Sequence, residues 1–284
     1  MAHVFVPVDI LKQFMLQAFS KSGVPEEDAR IVTDVLISSD LRGIESHGVG
    51  RLKMYLDRIK DKVQFPVTKF EIIREAPGTA LVNGNHGMGH VIAYKAMELA
   101  IKKAKKVGIG AVAVKNGTHF GIAGYYANMA IKNDMIGFIV TNSRPSVAPT
   151  FGSQPMFGTN PIAFGAPTDE ECPFLLDMGT PIVQRGKIEV YNREEKELPP
   201  GWAMDSQGND VRDPAELMQL LLKKDASLLP LGGKGEVTSG YKGYGLAVMV
   251  EILSSSLAAG PALLALSGFD EDGNKTHHYL GHFF

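Results

Sequence analysis

The sequence predicts an α/β fold, a mixed sheet with flanking helices behind an N-terminal helical segment, on two observations. Apolar residues recur at helical spacing through residues 11–59, and from residue 70 short β-type runs alternate with helical stretches. Leu11, Phe14, Met15 and Phe19 share the face of a first helix, with Gly23 as its stop. Pro25 suits the first position of a second helix, and Glu26, Glu27 and Asp28 complement the positive end of its dipole; it should run to Leu41. A third is expected from Ser46 through Ile59, with Leu52, Tyr55 and Ile59 on one face. The β-type runs that follow are Phe70 to Ile73, Ala80 to Val82, Ala111 to Val114, Ile136 to Thr141 and Phe174 to Leu176. Helices are expected between them, from His90 to Lys106 and from Ile122 to Asn133. The Gly- and Pro-rich passage Ser143 to Pro167 reads as an ordered loop, because proline lacks a donor and glycine admits positive φ. Tyr191 to Asp213 reads as a second irregular passage, and a last helix begins near Lys242. The organisation expected is a helical segment over 1–70, an α/β core over 71–254 and a C-terminal segment over 255–284.

Composition narrows the function classes. A chain of 284 residues that is 44% hydrophobic can bury a substantial core. Lys plus Arg is 29 against 31 for Asp plus Glu, so no broad basic field is present for nucleic acid or an anionic membrane. Any anion must be caught locally. The lone Cys172 cannot form an intrachain disulfide, and the start MAHVFVPVDILKQF lacks the succession of a signal peptide, so a cytoplasmic setting is expected. No apolar run approaches the ~18 residues that span a bilayer.

Four constellations can carry chemistry. If Ser46 caps the third helix, His47 and Arg51 stand at i and i+4, with Tyr55 one turn further. That sets an imidazole, which titrates near neutrality, beside a guanidinium fork that matches a carboxylate. An ordinary capped helix with both residues facing water is the plain alternative. Asn116 to Gly121, with His119, lies at the carboxyl end of a strand, where ligands sit in α/β sheets; a turn-capping histidine is the alternative there. Thr141-Asn142-Ser143 and Asp177-Met178-Gly179 also end strands and can approach ribose and phosphate closely. Lastly, Gly240-Tyr241-Lys242-Gly243-Tyr244-Gly245 leads into a helix and reads as a phosphate site, against a packing role for its glycines. Neither this run nor Gly84-Asn85-His86-Gly87-Met88-Gly89 has the order of a Walker or Rossmann motif.

A histidine-metal hydrolase is a rival class. His86 and His90 are four apart, and His277, His278 and His282 cluster near the carboxyl end. Two glycines between the first pair and the missing Glu of H-E-x-x-H argue against it, and no metal is expected. A binding module without catalysis leaves the His47–Arg51 pair without a task.

The same residues carry a family resemblance. SSDLRGIESHGVGRL (38–52), NGTHFGIAGYYA (116–127), TNSRPSVAPTFG (141–152), FGTNPIAFGAP (157–167), LLDMG (175–179), RGKIE (185–189), LLPLGG (228–233) and YKGYGLAVMVEILS (241–254) resemble the malate and L-lactate dehydrogenase family of the second, non-Rossmann type. The family includes malate, sulfolactate and ureidoglycolate dehydrogenases and a diketogulonate reductase. The resemblance implies a non-Rossmann nicotinamide-binding fold and a homodimer that interconverts a small 2-hydroxy acid and its 2-oxo acid with NAD or NADP, malate and oxaloacetate first. By resemblance His47 and His119 are the acid/base residues, and Arg51, Ser46, Tyr55 and Arg144 meet the substrate. Ser143, Asp177, Met178, Gly179, Lys242 and Gly243 line the cofactor. Tyr241 stands where the family has His, and Gly179 where Ala is usual. After Leu257 the stretch AAGPALLALSGFDEDGNKTHHYLGHFF matches poorly, and family members continue past HFF, which implies a truncated end.

Overall fold

The computed structural model describes residues 5–284. The helical start forms as expected: α1 (Val8–Lys21) and α2 (Glu26–Leu41) pack as a hairpin, with Gly23 at φ +88 in the turn. Met15, Phe19, Val32 and Leu36 fill its interior. Pro25 is the residue before α2 rather than its first, a shift within the usual uncertainty of helix ends.

The third helix departs from expectation. Residues Glu45–His47 and Val49–Arg51 are two single 3₁₀ turns, and α3 (Leu52–Lys60) starts only after them. Gly48 breaks the run at ψ −145, and the Asp40 carboxylate fills the space where a Cβ on Gly48 would sit while accepting the Val49 N–H (2.8 Å). Ser46 therefore caps no helix. Gly48→Ala should force that carboxylate aside and lower stability by about 1–3 kcal/mol, read as a drop in thermal midpoint. An unchanged midpoint would mean that Asp40 does not hold the break.

The strands are β1 (Glu71–Glu75), β2 (Thr79–Asn83), β3 (Ala111–Gly117), β4 (Gly137–Thr141), β5 (Ile162–Ala166), β6 (Phe174–Met178), β7 (Ala203–Asp205), β8 (Ala226–Leu228) and β9 (Leu280–Phe283). Seven form one mixed sheet in the order β1-β2-β3-β9-β4-β5-β6, and β7 pairs with β8 apart from it. β2 and β3 are parallel, joined by α4 (Gly89–Val107), which ends on left-handed Gly108; a parallel pair needs such a crossover. After β3 the chain crosses through α5 (Gly124–Ile131) to β4, and β9 fills the slot between them, antiparallel to both. The last described residues thus complete the middle of the sheet.

Two expected loops carry more structure. β5 lies inside the Ser143 to Pro167 passage, since Ile162, Ala163 and Phe164 pair in register with β4. The Tyr191 to Asp213 passage holds the end of α6 (Arg185–Arg193) and β7. Asp213 then caps α7 (Pro214–Lys223), accepting the N–H groups of Ala215 and Glu216 behind a first-turn proline. α8 (Gly240–Ser254) begins where a last helix was expected. α4 and α5 cover one face of the sheet through Ile92, Ala96, Val112, Val114 and Ile139. Val250 of α8 packs on Val140 and Ile162 from the other face. Among the described residues no helix is long and apolar enough to cross a membrane.

Candidate active site

Asn116, the next-to-last residue of β3, sits at φ +53, and after Gly117 the chain turns into the loop that carries His119. Three contacts fix this loop. Thr118 Oγ1 donates to Gly87 O (2.8 Å), Tyr126 Oη to Phe120 O (2.6 Å), and α4 starts at Gly89 directly against the Thr118 and His119 carbonyls. His47 arrives from the 3₁₀ turn after α2, and the two imidazoles stack at 5.5 Å and 22°. Ser46 Oγ bonds His47 Nδ1 (2.9 Å), and Tyr55, fully buried on α3, bonds His119 Nδ1 through its hydroxyl (2.5 Å). Burial, then the Arg51 charge, lowers the His47 pKa to about 4. Burial, then His47 and Arg58, carries His119 well below the ordinary histidine value. Both rings are neutral at neutral pH.

They border a cavity of about 120 Å³ closed by Thr141, Asn142, Ser143, Thr159, Asp177 and Gln184, with Leu280 from β9. Larger hollows lie elsewhere, such as the 620 Å³ groove between α4 and α5, but it carries neither histidine. Of the cavity's polar groups several are already committed. Asn142 Nδ2 donates to Glu251 and Ser255, and its Oδ1 accepts the Gly281 N–H. Ser143 Oγ accepts the Thr159 N–H (2.9 Å). Asp177 Oδ2 accepts the Gly124 N–H at the start of α5 (2.7 Å), and burial raises its carboxyl pKa. Its second oxygen, the Gln184 amide and the outer nitrogens of the two histidines remain for a ligand. That set suits hydroxyls, a carboxamide and a keto oxygen. The cavity is roomy enough for a small acid or one aromatic ring, so a nicotinamide ring fits here while phosphates would lie outside.

The expected site residues divide accordingly. His47, His119, Ser143 and Asp177 share the cavity, whereas Met178 and Gly179 lie next to it, with Gln184 against Gly179. Arg51 faces α6: its Nε donates to Ser46 O (2.6 Å) and its Nη2 is 3.8 Å from Glu189. Because Gly48 breaks the helix, His47 and Arg51 are not the i, i+4 pair expected, and Arg51 borders the neighbouring 520 Å³ hollow with Ser46 and Glu189. Arg144 is exposed near Gly268 rather than on the cavity. The phosphate site read at the last helix is largely closed, because the N–H groups of Gly240, Lys242 and Gly243 go to Gly235, Ser239 and Leu231. Gly243 serves packing, with Leu231 backbone where its Cβ would be, while the Lys242 side chain is exposed. Thr159, Gln184 and Leu280 also line the cavity, and no spacing or periodicity in the sequence singles them out.

The histidines of the metal reading have other partners. His282 Nδ1 bonds Thr141 Oγ1 (2.7 Å), His86 stacks on His277 at 4.0 Å, and His90 is buried against the Tyr55 ring at 4.6 Å. Among the described residues no three His, Cys, Asp or Glu are grouped to hold a metal.

The profile of the malate/L-lactate dehydrogenase family matches residues 6–284. The chain belongs to that family. A malate dehydrogenase of Pyrococcus abyssi is 50% identical over 278 residues, which are 98% of this chain and 75% of that protein. An L-sulfolactate dehydrogenase of Methanocaldococcus jannaschii is 43% identical over 86% of this chain and 67% of its own length. The crystal structure of malate dehydrogenase from Entamoeba histolytica superposes with a TM-score of 0.94 at 45% identity, covering 98% of this chain and 77% of that one. The family match runs through Phe284, so the poor match read after Leu257 is overturned.

Proposed function

We propose that this family member interconverts malate and oxaloacetate with NAD or NADP, as a cytoplasmic homodimer. The observation that carries the reading is the pair of stacked, neutral imidazoles beside a cavity whose free groups suit a keto acid and a nicotinamide carboxamide. A bound nicotinamide supplies or accepts the hydride. The chain's own residues hold the proton and the orientation. His119, clamped at Nδ1, offers its other nitrogen to the substrate oxygen, and His47, from the N-terminal helical segment, walls the cavity opposite. Asp177 accepts from the cofactor's amide or ribose beside Ser143, Met178 and Gly179, while Lys242 reaches its phosphates from outside. Arg51, with Ser46 behind it, and Arg144 supply positive charge for the substrate carboxylates from the cavity's margins.

A panel of 2-oxo acids, oxaloacetate, pyruvate and sulfopyruvate among them, with each reduced cofactor tests this by loss of reduced-cofactor absorbance. Oxaloacetate should give the highest kcat/KM without added metal. Activity that needs zinc and no nicotinamide would establish the hydrolase instead, a reading that finds no support in the histidine partners above. A preference for sulfopyruvate would move the chain toward its sulfolactate relatives.

A further inference from the structure

His119 Nδ1 is approached by two donors. The Tyr55 hydroxyl lies 2.5 Å away and the Gly121 N–H 3.4 Å. Tyr55 is fully buried, and among the described residues its hydroxyl bonds nothing else. With the ring proton on Nδ1, the phenol oxygen would accept it, but the phenol's own proton and the Gly121 N–H would be left without an acceptor. With it on Nε2, one lone pair serves both. His119 therefore rests with Nδ1 bare and Nε2–H toward the cavity. A neutral imidazole in that form can give its proton only if Nδ1 is refilled.

We propose that Tyr55 is the proton reservoir of the reaction and acts through His119. The inference rests on the 2-oxo acid reading above. In reduction the hydride from the reduced nicotinamide adds to the keto carbon, and the C=O π pair moves onto oxygen. That oxygen takes the His119 Nε2 proton as Nδ1 takes the Tyr55 proton. The ring stays neutral in the other tautomer, and the negative charge left by one hydride rests on the Tyr55 oxygen until solvent returns a proton. Burial raises the Tyr55 pKa well above that of an ordinary phenol, while Arg58 and then Arg51 act in the opposite direction. Arg58 stands three residues on along α3, and its Nη1 is buried without a hydrogen-bond partner among the described residues. An alkoxide is basic enough to draw on so weak an acid, and a phenolate beside a guanidinium is the form in which the charge can wait.

The groups facing this relay are His47 across the cavity, His90 on α4, Tyr126 on α5, and Arg51 and Arg58. His47 is lowered to about 4 and His90 to about 3, so neither titrates above pH 6. Oxidation of the hydroxy acid needs the phenolate. Its kcat should rise about tenfold per pH unit between about pH 7 and 9. Tyr55→Phe keeps the ring against His90; it should abolish that slope and lower kcat at about pH 9 by about 10²-fold, with cofactor affinity unchanged. A flat wild-type profile, or a slope retained in Tyr55→Phe, overturns the proposal. Long-range ¹H–¹⁵N spectra of the full chain labelled at histidine read the tautomer without substrate. Nε2–H is expected for His119 in the wild type and a mixture in Tyr55→Phe, whereas Nδ1–H in the wild type also overturns the proposal. If another substrate class proves correct, the spectra still decide the tautomer, so the two failures are distinguishable.

Discussion

Replacing His119 by alanine should lower kcat for keto-acid reduction by ~10² to 10⁴, leaving nicotinamide affinity, measured by fluorescence, nearly unchanged. Of the two imidazoles on the cavity, His119 has its inner nitrogen clamped by a fully buried hydroxyl, so its outer nitrogen is the better-oriented donor there. A group fixed in this way contributes where the proton moves rather than where the cofactor docks. His47 is held by the Ser46 hydroxyl on a 3₁₀ turn and should matter less, by about tenfold in kcat, because its part is to wall the cavity. Removing His119 also strands the Tyr55 hydroxyl, so thermal melts of the variant must accompany the kinetics. If His47→Ala carried the large loss and His119→Ala the small one, the proton would belong to His47 and the clamp on His119 would be structural.

Of the two histidines, His119 was legible in the sequence through a local signal that survives folding. His119 comes two residues past the end of β3, where a strand end in an α/β sheet presents its loop to ligands. His47 entered through a helix that does not form, yet it reached the cavity all the same, since the Asp40 carboxylate holds the turn at Gly48. The orientation of Arg51 was not legible, because helical spacing assumes an unbroken helix and no sequence period reports a carboxylate folding back to fill a glycine's space. The strand β5 was hidden in a run of Gly and Pro, its pairing supplied by β4 rather than by local propensity. The central place of β9 is a long-range fact of the same kind, as is the hub at Glu251, where Asn142, just before the Gly/Pro passage, and Asn160, within it, converge. Contacts separated by a hundred residues leave no periodicity to read.

Acid should unfold this protein well before its carboxylates are exhausted. Burial lowers His47 and His86 to about 4, and His90, His278 and His282 to about 3. Each ring is neutral in the folded chain and takes a proton near pH ~6.5 once unfolded, so below that pH the unfolded state binds more protons and stability falls. The loss begins near the unfolded value and continues until the folded rings titrate, a window from about 6.5 down to 3. For His90, wholly buried with neither nitrogen bonded, the full shift corresponds to on the order of 5 kcal/mol, against a typical folding margin of about 5–15 kcal/mol. The carboxyls of buried Asp28 and Glu251 and of half-buried Asp40 oppose this, since loss of solvent raises each and protonation then favours the folded state. They act only as the pH approaches the carboxylate range, and by then five rings have been pulling since neutrality. The unfolding free energy from urea titrations should therefore fall from about pH 6.5 to 5, by up to about 1.4 kcal/mol per pH unit for each histidine that titrates on unfolding, and the urea midpoint with it. His90→Phe keeps an aromatic edge against Tyr55 and removes one titrating ring, so its slope should be shallower by that amount. A midpoint indifferent to pH over this range would mean that these rings are hydrated in the folded protein.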